Sequence, residues 1–108
     1  MNDYARITSF VRSMAKEDEG TLKEIYLDAI RRGVPVIRPE ARELLKTQLL
    51  LKKPKHVLEI GTAVGYSSIY MTEYLPEDAD VTTLELSEER VAEARSNIER
   101  MGRSSQIQ

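Results

Sequence analysis

The apolar positions of the chain follow two different spacings, and the change falls near Lys55. Before Lys55, apolar residues recur three and four positions apart, which is the period of an amphipathic helix. After Lys55, short and nearly continuous apolar runs alternate with helical stretches, a pattern typical of buried strands joined by helices. The pattern predicts a helical cap over residues 1–54 and a β-α-β-α unit over residues 55–108.

The cap is predicted to contain three helices, of which the first covers Tyr4 to about Ala15. The second should open with a capping box, in which Thr21 and Glu24 exchange hydrogen bonds with free backbone amides. It should end near Gly33. Its apolar stripe is predicted to consist of Leu22, Ile25, Tyr26, Ala29 and Ile30.

The third helix should begin with Pro39, because proline suits the first turn of a helix, and end before Pro54. Its inward face is predicted to consist of Ala41, Leu44, Leu45, Gln48 and Leu49.

The part after the cap is predicted to form parallel strands that are covered on both faces, because its first strand is almost entirely apolar. The predicted order is a strand at 56–60, a helix at 67–75, a strand at 81–84, a helix that Ser87 caps and Gly102 ends, and the start of a third strand at 105–108. Two strands seldom make a stable α/β sheet. We therefore expect the chain to be the first half of a larger domain.

Composition narrows the chemistry available. The 108 residues are 41% hydrophobic and 31% charged, as in ordinary globular proteins. The lack of cysteine excludes disulfides, thiolate catalysis and cysteine-ligated zinc, and His56, the only histidine, cannot form a multi-histidine metal site. The chain has no apolar run of transmembrane length and does not open with a secretory signal, so we expect a cytoplasmic protein without a membrane partner.

Positive charge is concentrated in one stretch. Half of the 16 Lys and Arg residues lie between Arg31 and Lys55, with only Glu40 and Glu43 to balance them. Such a stretch can bind the phosphates of a nucleic acid. It can equally be a solvated surface, which we favour because no aromatic residues lie among the cations for base stacking.

The segment from Val57 to Ser68 carries the main chemical signal. An apolar run reaches Glu59, a loop with Gly61 and Gly65 follows, and a helical pattern then begins, as in loops where backbone approaches a nucleotide. The spacing Glu-x-Gly-x-Ala-x-Gly differs from the Gly-x-Gly-x-x-Gly of dinucleotide enzymes, which disfavours that class. Glu85 ends the second strand, where such folds hold ribose hydroxyls.

These side chains match three groups of one ligand. Ser67 and the amides at the helix start suit a carboxylate, and Glu85 suits two neighbouring ribose hydroxyls. Glu59 can receive an ammonium group or tie down the loop amides, and Thr62 can contact the ligand or bond within the loop. S-adenosylmethionine (SAM) carries a carboxylate, an ammonium group and a ribose. Taken singly, each residue could be only a loop or helix anchor, so the prediction rests on their order and spacing.

The segment from Val57 to Ser67 resembles the first motif of the catechol O-methyltransferase-like family, which includes caffeoyl-CoA methyltransferases and many bacterial O-methyltransferases. The stretches 33–40 and 52–55 are most similar to a bacterial branch in which some members methylate 5-hydroxyuridine at the tRNA wobble position. The resemblance covers nearly the whole chain from Arg32 onward and implies a Rossmann-like SAM-binding domain, of which 55–108 is the first half.

The resemblance also implies roles for single residues. Ile37 would cover the cofactor, Gly61 and Thr62 would line the loop, Ser67 would bind the methionine carboxylate, and Glu85 would bind the ribose. It further implies a homodimer and a Mg²⁺ or similar divalent ion held by residues after the third strand, so no catalytic or metal-binding residue is predicted within this chain. The acceptor would be a small aromatic diol or a tRNA base. The alternative is a module that binds SAM or a partner without catalysis.

Overall fold

The computed structural model describes residues 2–108, and within them a helical segment precedes a small parallel sheet with its helices. The elements in chain order are α1 (Asp3–Met14), α2 (Gly20–Arg31), α3 (Pro39–Lys52), β1 (His56–Ile60), α4 (Tyr66–Thr72), β2 (Asp80–Leu84) and α5 (Glu88–Arg100). The predicted fold class, helices followed by the first part of a Rossmann-like sheet, is confirmed. The bounds of β1 agree with the prediction to the residue.

The two strands pair in parallel, with His56 opposite Asp80 and Ile60 opposite Leu84. The last residues of the chain lie along the other side of β2, where the Val81 amide donates to the Gln106 carbonyl oxygen at 2.8 Å. Val81 and Ile107 form an isolated parallel bridge. The predicted third strand is therefore present only as this beginning, and β2 lies between it and β1.

The hydrophobic core lies on one face of the sheet, against α2, α4 and α5. Its most completely buried residues, exposed by 2% or less, are Ala29, Val64, Tyr66, Ile69, Tyr70, Val81 and Ala94. Tyr66 and Tyr70 pack side by side in this core, with ring centroids 6.2 Å apart.

The opposite face of the sheet is bare, so the prediction of strands covered on both faces is wrong for residues 2–108. Leu58 is 64% exposed, Ile60 74% and Leu84 52%. Successive side chains of a strand point to opposite faces, and α4 and α5 cover only one of them. The near-continuous apolar run of β1 therefore places alternate residues in solvent.

The predicted capping box is also wrong. Helix α2 begins at Gly20, one residue before Thr21, and its N-cap residue Glu19 makes no side-chain capping bond. Thr21 thus lies inside the first turn, where its hydroxyl is not in the N-cap position. The predicted cap of α5 is confirmed, because the Ser87 hydroxyl accepts a bond from the Arg90 amide at 3.3 Å.

The inward face of α3 differs from the prediction as well. Leu49 is buried as expected, but Leu44 is 63% exposed, and Arg42, at 4% exposure, is the other buried residue of this helix. Arginine is rarely buried unless it is paired. An apolar pattern alone could not identify it as an inward residue.

A bidentate ion pair between Arg12 and Glu40 joins α1 to α3. The Arg12 guanidinium donates to both carboxylate oxygens of Glu40, at 2.8 and 3.0 Å. These bonds lower the pKa of Glu40 to about 2. Most of the apolar residues of α1 nevertheless face solvent, namely Tyr4, Ile7, Phe10 and Met14.

Candidate functional site

The loop from Gly61 to Gly65, called here the glycine loop, joins β1 to α4 and is fastened to the end of β2. The amides of Gly61 and Thr62 both donate to the Leu84 carbonyl oxygen, at 2.8 and 3.2 Å. Gly61 and Gly65 have φ angles of 93° and 86°, a region that favours glycine. A Cβ atom on Gly61 would meet no other atom within 4 Å, so the space above this residue is open.

Glu59 is the anchor of a hydroxyl cluster. Its Oε2 accepts a short bond from the Ser67 hydroxyl, while its Oε1 accepts from Ser68 at 2.6 Å and from Thr83 at 2.7 Å. Of the two roles predicted for Glu59, the anchoring one is thus present, although the groups it holds are hydroxyls and not the loop amides. A carboxylate oxygen accepts two bonds, so Oε2 keeps one free acceptor position.

Glu85 anchors the glycine loop through backbone amides. One oxygen accepts from the Ala63 amide at 2.9 Å, and the other accepts from Leu86 at 2.9 Å and Ser87 at 3.1 Å. These bonds, that from Ser87 foremost, lower the pKa of Glu85 below its ordinary value. The oxygen that faces Ala63 retains one acceptor position. The two-pronged ribose contact therefore stays a prediction, and it would share Glu85 with the loop.

A cavity of about 210 Å³ lies between the glycine loop and the segment that leads into α3. It brings together four of the predicted site residues: Ile37, Gly61, Thr62 and Ser67. A second cavity of about 550 Å³ lies against α5 and is lined by Glu85 and, again, Thr62. Thr62 therefore borders both cavities, and its hydroxyl is 2.6 Å from that of Thr83. Glu59 and Gly65 line neither cavity.

Two features of the site were missed by the sequence analysis. Arg42 and Asp18 form a buried ion pair at 3.0 Å that also binds the hydroxyl of Tyr66, the residue after Gly65. A polar run containing Asp18 and a basic stretch containing Arg42 gave no signal for this pair. Leu86, next to Glu85, is fully exposed, and its amide holds the Glu85 carboxylate.

The basic stretch from Arg31 to Lys55 is largely neutralised by acids of the same chain. Five of its eight cations have an acidic partner within 4 Å, namely Arg31, Arg32, Arg42, Lys46 and Lys55. This arrangement supports the solvated-surface interpretation more than a phosphate-binding face.

Residues 2–108 contain no group of three or more His, Cys, Asp or Glu residues that could hold a metal ion. His56 Nδ1 lies 2.9 Å from Asp80 on the neighbouring strand, a cross-strand contact at the entrance of the sheet. The residues described therefore do not fit the divalent ion that the resemblance implies. In the same part of the chain, no helix is both long and apolar enough to cross a bilayer.

Parallel strands that lead through a glycine loop into a helix define an α/β protein with a Rossmann-like arrangement. A sequence profile described as O-methyltransferase matches residues 12–108, and the chain belongs to this family. The catechol O-methyltransferase of Niastella koreensis is 38% identical over 78 residues, which cover 70% of this chain and 35% of that protein.

Two solved structures show the same fold at similar lengths of overlap. The O-methyltransferase from Bacillus cereus in complex with SAH is 28% identical, with a TM-score of 0.80, over 95% of this chain and 48% of that one. TomG from Streptomyces achromogenes in complex with SAM is 26% identical, with a TM-score of 0.78, over 100% of this chain and 51% of that one. The chain thus spans about half the length of these structures and about a third of the curated relative.

Proposed function

We propose that the protein transfers a methyl group from SAM to a hydroxyl oxygen, and that residues 2–108 supply the part that holds the cofactor. The observation that carries the proposal is the cavity of about 210 Å³ between Ile37 and the open face of Gly61. The Glu85 carboxylate, which borders the second cavity, accepts a bond from the Ala63 amide of the same loop. Family membership supports the proposal, as do the SAM and SAH bound in the two related structures.

The hydrogen bonds of Ser67 and Glu59 suggest how an amino-acid end could bind. The Ser67 hydroxyl donates to Glu59 Oε2, and Ser67 is also one of the residues that line the cavity. If this hydroxyl turns to donate to the carboxylate of the ligand, it leaves Glu59 Oε2 with two free acceptor positions for the ammonium group. The hydrogen bond between the two residues would then be replaced by one from Ser67 to the carboxylate of the ligand and one from its ammonium group to Glu59.

Glu85 would act at the other end of the cofactor. Its low pKa keeps the carboxylate ionised, and the acceptor position left on the oxygen facing Ala63 suits a ribose hydroxyl. The exposed Leu86 beside it offers an apolar surface for a flat base. When bound, SAM supplies an electrophilic methyl group on a positively charged sulfur, and the residues described here would bind and orient it.

Calorimetric titration with SAM tests the proposal directly. We expect saturable binding of SAM and SAH and no binding of NAD, because the glycine spacing does not match a dinucleotide site. Absence of SAM and SAH binding would overturn the proposal, and NAD binding would favour the dinucleotide class.

For the acceptor, we favour a small aromatic diol over the 5-hydroxyuridine of tRNA. The relative named catechol O-methyltransferase supports the diol, and the paired cations of the basic stretch weaken the case for RNA. Lys52 and Lys53, which have no acidic partner within 4 Å among residues 2–108, permit a test. If tRNA is the acceptor, replacing both with Gln should weaken RNA binding and flatten its salt dependence. Unchanged RNA affinity would count against tRNA.

We expect residues 1–108 alone to bind SAM without transferring its methyl group. Among the described residues, no metal-binding group is present to lower the pKa of an acceptor hydroxyl, which would remain protonated and a poor nucleophile near neutral pH. An assay with labelled SAM, Mg²⁺, catechol and tRNA should show no transfer above background. Transfer would reveal a catalytic group that neither sequence nor structure identified.

The alternative, a non-catalytic module, predicts SAM binding without methyl transfer in any longer protein that contains residues 1–108 as well. A homodimer in the cytoplasm remains part of the proposal, and light scattering of the purified full chain tests the dimer.

A further inference from the structure

A buried polar cluster joins the cap to the residue that follows the glycine loop. The Tyr66 hydroxyl donates to Asp18 at 2.5 Å and accepts from the Arg42 guanidinium at 2.7 Å. Arg42 also donates to Asp18 at 3.0 Å and to the Lys16 carbonyl oxygen at 3.1 Å. The side chains of Arg42 and Asp18 are 5% and 8% exposed, and Tyr66 is 1% exposed.

The main effect of this cluster is to fix the relative positions of the segments that carry it, because apolar residues could stabilise the fold equally well. Moving an ion pair out of water costs free energy, and well-packed apolar residues often stabilise a core equally well. The guanidinium, the carboxylate and the phenol have fixed bonding directions, so together they permit few relative positions of the segments that carry them. Burial raises the pKa of the Tyr66 phenol, which therefore keeps the proton that it donates to Asp18.

The cluster connects the two walls of the cavity of about 210 Å³. One wall is formed by residues 35–37, which lead directly into α3, the helix that carries Arg42. The other wall is the glycine loop with Tyr66 and Ser67. A bond between Arg42 and Tyr66 therefore fixes the distance between the segment that would cover the cofactor and the loop that would lie beneath it.

We infer that Asp18, Arg42 and the hydroxyl of Tyr66 are positioning residues that set the width of this cavity for a nucleoside cofactor of the SAM class. The inference rests on the proposed function. The polar groups of these three side chains do not need to contact the ligand. The cluster positions Ile37 on one side of the cavity and Ser67 on the other, and these two residues would contact the ligand.

Tyr66→Phe tests the inference with little disturbance to the core. The substitution removes one hydroxyl, keeps the ring that packs against Tyr26 with centroids 5.2 Å apart, and leaves the ion pair between Arg42 and Asp18 intact. Tyr70→Phe is the matched control. It makes the same change one turn further along α4, at 2% exposure, and loses a long bond of 3.4 Å to the Arg42 carbonyl oxygen.

The affinity for SAH is measured by calorimetric titration of the unsubstituted chain and of the two variants. We expect Tyr66→Phe to weaken SAH binding about tenfold, and Tyr70→Phe to change it less than about twofold. In amide NMR spectra, the resonance of Ile37 should shift in Tyr66→Phe and stay in place in Tyr70→Phe. A purely structural role would lower the melting temperature without this difference.

The possible outcomes separate the two proposals. If the unsubstituted chain does not bind SAH, the proposed function fails and the inference fails with it. If the chain binds SAH and the two tyrosine variants have the same affinity as each other, whether weakened or not, the positioning role is overturned while the proposed function stands. A third variant, Asp18→Asn, should weaken SAH binding in the same direction as Tyr66→Phe, and unchanged binding would also contradict the inference.

Discussion

The two loops that connect a strand to a helix differ in backbone conformation and in the hydrogen bonds that hold them. The glycine loop has positive φ angles at Gly61, Ala63 and Gly65, and it borders a cavity. The loop after β2, residues 85–87, is short and is held by the carboxylate of Glu85 and the cap of Ser87. The first loop has the positive φ angles, and the second supplies the Glu85 carboxylate that accepts a bond from the Ala63 amide of the first. The shape of the candidate site therefore depends on both loops, although only one carries the glycines.

The largest effect should come from Gly61→Val, which disturbs the first loop directly. A β-branched residue at a φ of 93° is strained, on the order of 1–3 kcal/mol, and its side chain would fill the open space above the loop. We expect the substitution to abolish SAM binding. Calorimetry, together with helical content from circular dichroism, measures this.

Gly102→Val is the matched control for this prediction. Gly102 has a φ of 69° and equally open surroundings, but it lies after α5 and lines neither cavity. It should lower the melting temperature and leave SAM binding intact. If the two variants lose binding equally, strain and not the cavity explains the loss.

Glu85→Ala disturbs the second loop and should have the next largest effect. It removes the acceptor for the Ala63 amide and the proposed acceptor for ribose, so we expect roughly 30-fold weaker SAM binding, more than for any other single carboxylate change. Glu88→Ala, an exposed carboxylate three residues later, should bind SAM normally. Unchanged affinity in Glu85→Ala, measured by calorimetry, would remove the second loop from the site.

Ser67→Ala and Ser68→Ala sharpen the comparison at smaller scale. Both remove one hydroxyl from Glu59, so each should cost about 1 kcal/mol in the free energy of unfolding. Only Ser67 lines the cavity, so only Ser67→Ala should also weaken SAM binding, by about 1 kcal/mol. Denaturant unfolding and calorimetry measure the two effects separately, and a loss of affinity in Ser68→Ala would contradict the assignment.

The smallest effect concerns pH. The folded-state pKa of Glu85 is lowered, so the stability that its bonds contribute is fully present above the ordinary carboxyl pKa and is lost as pH falls through the folded value. The difference in melting temperature between the unsubstituted chain and Glu85→Gln should therefore be constant from pH 7 down to about 4.5 and shrink below that. A difference that shrinks already near pH 6 would show that another group is responsible.

Local sequence signals predicted the parts of the fold that local physics determines. The limits of β1, the cap by Ser87 and the start of α3 at Pro39 follow from hydrophobic runs, hydroxyl capping and the geometry of proline. The resemblance and the spacing of the motif also placed Ile37, Gly61, Thr62 and Ser67 in one site, and the structure brings these four residues to one cavity.

The remaining features depend on contacts between segments that are distant in sequence. Arg42 is buried because Asp18 and Tyr66, 24 positions away on either side, supply its partners. Glu59 is held by Thr83, another 24 positions away. The bare face of the sheet depends on which side the helices cover. No pattern within one element contains this information.

The exposed sheet face has a consequence for how the chain behaves in solution. Leu58, Ile60 and Leu84 form an adjacent group of branched apolar side chains, because Ile60 and Leu84 lie opposite each other in the strand pair. Contiguous apolar surface of this kind promotes association between molecules. In colloidal terms, residues 1–108 prepared alone should have attractive pair interactions, scatter more light as their concentration rises, and precipitate early when sulfate salts are added.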